Sequence, residues 1–422
     1  MLTRLTQLAL DKIIARHETF RHGRPGGARA ILSHHDLSQL SMRGHDMSHA
    51  DFTHAVLYET DMAKAKLDSC LFFAADLRRA NFREASLVRA DLRGACMRGA
   101  SLTGADLTDA DLREGSFASY DPKKGLRFPD EKENSGSVDL RGASLSSANL
   151  TGAVAINSNF QDANLSKAVF IRGDLTGANL AGANLAGADL NHCVLKNVNM
   201  KNANLTGVMV DFSKLENVDM TGALTDKPAG KTLKEMPVPF DQLIARHKTW
   251  LDSKGASGQR LDLSGFDMRG APSFGDADLT MLLAEKSVWY AQNLSHTILP
   301  ASQFKQSDLR SCNFDAADLR GANFAKANLA GSKMRNARFE PLIIGTNPLL
   351  KTDFSGTNLR YADFSGANLR NANFTGADLG WADFTDADVE GATFDDAVLE
   401  DTKIDTSKTG LKIIVRKRVE RD

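Results

Sequence analysis

The stretch Ala85-Ser-Leu-Val-Arg-Ala-Asp-Leu-Arg-Gly-Ala-Cys-Met-Arg-Gly-Ala-Ser-Leu-Thr-Gly-Ala-Asp-Leu-Thr-Asp-Ala-Asp-Leu112 decides the fold. A large apolar residue recurs at every fifth position: Leu87, Leu92, Met97, Leu102, Leu107 and Leu112. Ala stands two residues before each of them. A period of five matches neither the 3.6 of a helix nor the 2 of a flat strand. It describes a chain that turns a corner after each short extended piece. The Ala marks an inward position with no room for more. The three remaining positions carry Asp, Asn, Ser, Thr, Arg and Gly, which suit solvent and turns.

Worked outward from that stretch, the period covers most of the chain. One run extends from Leu32 to Phe117, with Ala two before the centre in 11 of the 13 units from Phe52 to Leu112. A second extends from Leu140 to Met220, and only Ala155 lacks a large side chain at the centre. A third begins at Leu263 and Met268, slips by one residue near Pro272, and continues from Phe274 to Ile404. Together these are 64 units and 320 of 422 residues. Internal repetition on this scale governs how the rest of the chain is read.

Units such as Ala178-Asn-Leu-Ala-Gly and Ala90-Asp-Leu-Arg-Gly resemble the A(D/N)LXX unit of the pentapeptide-repeat family. The resemblance implies an all-β solenoid: a right-handed quadrilateral β-helix with four units per coil, the central residue and its preceding Ala pointing inward. In the third run, Phe304, Phe314, Phe324, Phe354, Phe364, Phe374, Phe384 and Phe394 share a ten-residue phase, with Met334 and Ile344 in the gap. Four units per coil then predict that Phe364 stacks on Phe384 and Phe374 on Phe394.

The chain is also duplicated on a longer scale. Ile14-Ala-Arg-His-Glu-Thr-Phe20 matches Ile244-Ala-Arg-His-Lys-Thr-Trp250 at an offset of 230. Each copy has helical spacing and precedes a repeat run. The expected organisation is an N-terminal capping helix within 1–22, a first β-helix over 31–223, a linker over 224–239, a second capping helix over 240–252, a second β-helix over 261–406, and a basic tail over 407–422. A solenoid end exposes strand edges and an apolar core, and so needs a cover. The alternative role for the helices is partner binding. Residues 118–137, polar and containing Pro122 and Pro129, read as a loop thrown out of one corner. Lys123, Lys124, Arg127 and Phe128 are its candidate contact residues.

Lys plus Arg total 52 and Asp plus Glu total 53, which excludes a uniformly basic nucleic-acid binder. Cys70, Cys96, Cys193 and Cys312 form no CxxC pair, so neither a disulfide framework nor a zinc site is indicated. Three of them, Cys70, Cys193 and Cys312, take the inward Ala position and read as small buried thiols. No apolar run approaches the roughly 20 residues needed to span a bilayer, and the expected location is cytoplasmic. There is no GxSxG, HExxH or Walker loop. No catalytic residue, cofactor, metal or small-molecule substrate is assigned. His34 and His54, each two residues after a centre and 20 apart, should lie one coil apart on one face. Without a third ligand in register they read as a surface pair.

The charge is uneven. Asp378, Asp383, Asp386, Asp388, Glu390, Asp395, Asp396, Glu400, Asp401 and Asp405 crowd 376–405, against the single base Lys403. The first nine with the loop are the candidate partner-binding surface. Arg78, Arg79, Arg83, Arg89 and Arg93 make an arginine band in the first half. The indicated function is a non-catalytic scaffold presenting a rigid surface to a protein partner. The alternative is a DNA-mimicking binder of type II topoisomerase (DNA gyrase), a role the family resemblance implies for some members. A homodimer contact is a further expectation: Leu411-Lys-Ile-Ile-Val-Arg either caps the last coil or pairs with another copy.

Overall fold

The computed structural model describes residues 3–113, 119–121, 125–127, 138–211, 215–274, 277–343 and 349–405. The chain divides into two compact units, Met1–Lys227 and Pro228–Asp422.

One unit, Asp51-Phe-Thr-His-Ala55, explains the coil. A buried backbone must close its hydrogen bonds, and here all five N–H groups find acceptors. Asp51 donates to Ala30 of the preceding coil (3.1 Å), Phe52 to Leu71 (2.7 Å) and His54 to Phe73 (3.0 Å) of the next, and Ala55 closes the turn onto Phe52 (2.9 Å). The fifth, from Thr53, goes to the Asp51 carboxylate at 3.0 Å. An Asp or Asn before the centre is thus a backbone acceptor built into the unit. The corner residue His54 has φ 56°, in the left-handed region that Gly, Asn and Asp enter most readily.

Parallel bridges then recur at 20 residues, as in Ile31↔Asp51↔Leu71↔Asp91 and Asp36↔Val56↔Asp76↔Cys96. Four units therefore make one coil. Centres and preceding Ala residues fill the interior, and nearly all are fully buried. Each such Leu or Phe contributes roughly 1.5–3 kcal/mol. At two of the positions where Ala is replaced, the newcomer is small and donates: Thr60 Oγ1 reaches the Leu37 carbonyl (2.9 Å) and Cys70 Sγ the Met47 carbonyl (3.0 Å).

In the first unit, β1 (Thr3–Arg4) pairs in parallel with β2 (His35–Asp36). Between them α1 (Gln7–Arg21) starts at Thr6, whose hydroxyl accepts from the Ala9 N–H. It buries Leu10, Ile14 and His17, and the first two belong to the core of this unit. The bridge step then lengthens from 20 to 43, as in Cys96↔Asp139 and Asp111↔Val154. The extra length falls after Leu112 in the chain, and within that stretch β3 (Ser119–Asp121) pairs antiparallel with β4 (Gly125–Arg127). Phe117, expected as a centre, lies outside the described residues. Toward the end of this unit, Leu224 still bridges Asn204.

In the second unit Lys231 bridges Phe266, and α2 (Phe240–Asp252) follows, its Leu243 and Ile244 packed against the second core. The one-residue slip near Pro272 is visible as bridge steps of 21 (Asp262↔Leu283, Asp267↔Val288) that become 20 from Asp278↔Ile298 to Asp318↔Arg338. The expected ring pairs are present: Phe364 on Phe384 and Phe374 on Phe394, both with centroids 4.9 Å apart.

The unbroken third run needs correction. Asn323 bridges Asp353 and Arg338 bridges Asn368, a step of 30. Between Phe339 and Phe354 the step is ten residues longer than the coil, and there β5 (Leu342–Ile343) pairs antiparallel with β6 (Leu349–Leu350). Ile344 lies outside the described residues and Ile343 is 74% exposed. Ten is a multiple of five, so the insertion leaves the sequence in phase and hides itself.

Candidate interaction surface

The unit assigns each acidic residue a position before any partner is considered. Asp378, Asp383 and Asp388 stand before centres, and their carboxylates accept the N–H two residues on, from Gly380 (3.1 Å), Thr385 (2.9 Å) and Glu390 (3.2 Å). Asp386, Asp396 and Asp401 occupy corners with φ of 58°, 56° and 52°. Six of the nine candidates thus serve the coil itself. Glu390, Asp395 and Glu400 follow their centres, where the repeat asks for no particular side chain, and all three are exposed.

Stacking brings in two cations, Arg360 and Arg370, from outside 376–405, and sets Lys403 against a carboxylate one coil away. Arg370 bonds Asp388 (2.6 Å) and Glu390 (2.5 Å) across coils, Arg360 lies 3.3 Å from Asp378, and Lys403 lies 3.0 Å from Asp383. Burial pushes Asp383 up, but the Thr385 hydroxyl and N–H and the Lys403 ammonium outweigh it and hold its carboxyl below 3.8.

One corner of this end escaped the sequence reading. Tyr361 and Trp381 stack with centroids 5.1 Å apart, and the Arg360 guanidinium lies 4.5 Å from the Trp381 ring centre. Trp381 Nε1 donates to Asp401 at 3.0 Å. The signal was available: Tyr361, Trp381 and Asp401 are successive members of one 20-residue column.

The arginine band is partly returned to carboxylates. Arg78 and Arg93 make two-pronged pairs with Asp76 and Asp91, two residues back, and Arg79 lies 3.8 Å from Glu59. The same Asp-x-Arg pairing closes at Arg113, Arg141, Arg269, Arg310 and Arg320. The planar guanidinium fork fits a carboxylate held at that spacing.

Cys70 and Cys312 are buried, as their inward position predicts; Cys193, at the same position, is only half-buried, as is Cys96. Burial pushes the Cys193 thiol up to about 11, and those of Cys70 and Cys312 further. His34 and His54 stack with centroids 4.9 Å apart, as their spacing predicted. Among the described residues no group of three or more His, Cys, Asp or Glu is placed to hold a metal ion. No helix among them is long and apolar enough to cross a membrane. Lys123, Lys124 and Phe128 lie outside the described residues; Arg127 ends β4.

Coils of four five-residue units, with inward Ala and Leu or Phe, define a β-helical repeat protein. The family model "Pentapeptide repeats (8 copies)" matches residues 30–68, 75–113, 137–170, 174–208, 183–222, 293–324, 302–340, 349–376 and 362–401, together more than half of the chain. The chain belongs to the pentapeptide-repeat family, and its fold is a right-handed β-helix solenoid. Similar solved structures include QnrB1, a plasmid-mediated fluoroquinolone resistance protein (20% identity, 47% of this chain, 90% of that chain, TM-score 0.32). Another is HetL, involved in heterocyst differentiation regulation in the cyanobacterium Nostoc (21%, 92%, 94%, TM-score 0.13). A third is a pentapeptide repeat protein of the Arabidopsis thaliana thylakoid lumen (31%, 26%, 71%, TM-score 0.18). No curated protein matches.

Proposed function

We propose that this chain is a non-catalytic cytoplasmic scaffold that presents a β-helical surface to a protein partner, in two halves each begun by a capping helix. The observation that carries this reading is the division of labour within the unit. The residue before each centre and the corner residue are committed to the backbone, which leaves the residue after the centre as the position of display. A rigid frame with variable outward side chains suits recognition by contact. The acidic end around Glu390, Asp395 and Glu400, beside the Arg360–Tyr361–Trp381 corner, is the docking surface this reading favours. The helices support the capping role because each lays apolar residues onto the first coils of its own unit.

The test is capture of partners from native lysate with the full chain, with a Glu390→Lys/Asp395→Lys/Glu400→Lys variant, and with residues 118–137 deleted. A partner kept by the deletion and lost by the charge reversal supports the acidic end. A partner lost only by the deletion moves the site to the loop. Binding of a type II topoisomerase is the alternative. It calls for a continuous acidic surface, and the cross-coil cations Arg360, Arg370 and Lys403 weigh against that. An unchanged gyrase supercoiling rate in the presence of the protein removes it.

A further inference from the structure

In nearly all units the residue two before a centre donates its N–H to the carbonyl three residues earlier, as Ala55 does to Phe52. The first unit of a run has no earlier centre to supply that carbonyl. In both halves an imidazole supplies the acceptor instead. Nδ1 of His17, on α1, accepts from the Ala30 N–H at 3.0 Å, and Nδ1 of His247, on α2, accepts from the Leu261 N–H at 3.1 Å. Both histidines are fully buried. A backbone N–H can only donate, so each Nδ1 must be unprotonated, which fixes the tautomer with hydrogen on Nε2. In the first unit Nε2 donates to the Ser48 carbonyl at 3.2 Å.

We infer that His17 and His247 are pH-operated latches: a proton on Nδ1 abolishes the bond that closes the first coil and releases the helix from the coil end. The device goes beyond the scaffold reading and does not depend on any partner. The groups facing His17 are Arg21 and the Phe20 ring on its own helix, with Asp46 and the Met47 and Ser48 backbone from the coil. Those facing His247 are the Trp250 ring on its own helix, with Arg260, Asp278 and the Thr280 backbone.

In both sites burial is the largest influence and holds the imidazole below its ordinary 6.5. The sign follows. The folded latch prefers the neutral ring, so its contribution is complete above pH 6.5 and is lost as pH falls below that value. Each proton taken up on opening raises the opening constant about tenfold per pH unit.

Hydrogen exchange on the full chain between pH 7.5 and 5, corrected for intrinsic exchange rates, is the test. The expected result is an opening constant for 240–252 and for 7–21 that rises by up to about tenfold per pH unit below 6.5 while the coils stay protected. Helix and coil opening in parallel, or no change in either, overturns the inference. His17→Asn and His247→Asn retain an amide oxygen for the N–H and cannot titrate. Helix opening in these variants should be independent of pH, and a retained dependence overturns the assignment to the two histidines. If the variants do not fold, the wild-type comparison decides alone.

Discussion

Phe324 lies flat on Phe354, ring centroids 5.1 Å apart and planes 4° from parallel, although 30 residues separate them. Phe304 on Phe324 and Phe354 on Phe374 make the same contact across 20. The ladder is continuous in space where the chain is not. Deleting residues 341–350 joins Glu340 to Lys351 and restores a five-residue step from Phe339 to Phe354. We expect that variant to keep its β-sheet circular dichroism and to melt within a few degrees of the parent. Deleting nine residues, 341–349, throws the following units out of phase and should yield insoluble or early-melting protein. Equal behaviour of the two deletions would refute the register.

Phe374 is held between Phe354 and Phe394, with centroids 4.9 Å away on each side. Phe374→Ala removes the middle of that ladder and leaves a cavity that close-packed neighbours fill only in part. The expected loss is about 3–5 kcal/mol, read by chemical denaturation followed through tryptophan fluorescence. A loss below about 1 kcal/mol is incompatible with a closed ladder there.

The Asp-x-Arg pairs should differ with their exposure. Arg310 has a side chain 4% exposed and is paired with Asp308, and its guanidinium also lies 5.4 Å from the Tyr290 ring centre. Asp308→Asn leaves a buried cation without its carboxylate, at an expected cost of about 3–5 kcal/mol. Arg78 is 39% exposed, and Asp76→Asn should cost under about 1 kcal/mol. Denaturation of the two variants side by side checks the order.

Acid should loosen the start of the second unit. Burial pushes Asp267 up, but the Arg269 guanidinium and the Ala229 and Arg269 N–H groups outweigh it and hold its carboxyl below 3.8. A carboxyl depressed on folding stabilises above its unfolded value, and that stability is lost as pH falls through the folded value. Melting temperature should therefore drop below about pH 4, and Asp267→Asn should flatten that drop while lowering the plateau at neutral pH. A variant with the parent's acid slope would show that this group does not contribute.

Thiol labelling should follow burial rather than position in the unit. At pH 7.5 the half-buried Cys96 and Cys193 are expected to react before Cys70 and Cys312, whose burial disfavours the thiolate. Mass spectrometry of a time course reads the order. Reaction of Cys312 ahead of Cys96 would contradict the described core.

The period, the inward Ala, the one-residue slip at Pro272 and the Phe364–Phe384 stack were all legible in the sequence, because five-residue periodicity fixes which side chains share a wall. The excursion around β5 and β6 was not, since its length conserves phase. The acidic end was read along the chain, whereas its nearest cations come from a coil below: Arg370 lies 18 and 20 residues before Asp388 and Glu390. Nor could composition tell that Asp378 answers to backbone geometry. That requires knowing which N–H its carboxylate faces.

The Asp-x-Arg pairing has a kinetic meaning. A guanidinium returned to a carboxylate two residues away leaves a dipole rather than a net charge, and a dipole's field dies within a shorter distance. Much of this surface is consequently silent beyond a Debye length, about 8 Å at physiological salt. A partner meeting such a stretch arrives by unsteered diffusion, at about 10⁵–10⁶ M⁻¹ s⁻¹, and its arrival rate barely responds to added salt. Selectivity on those faces resides in how long a complex lasts rather than in how fast it forms.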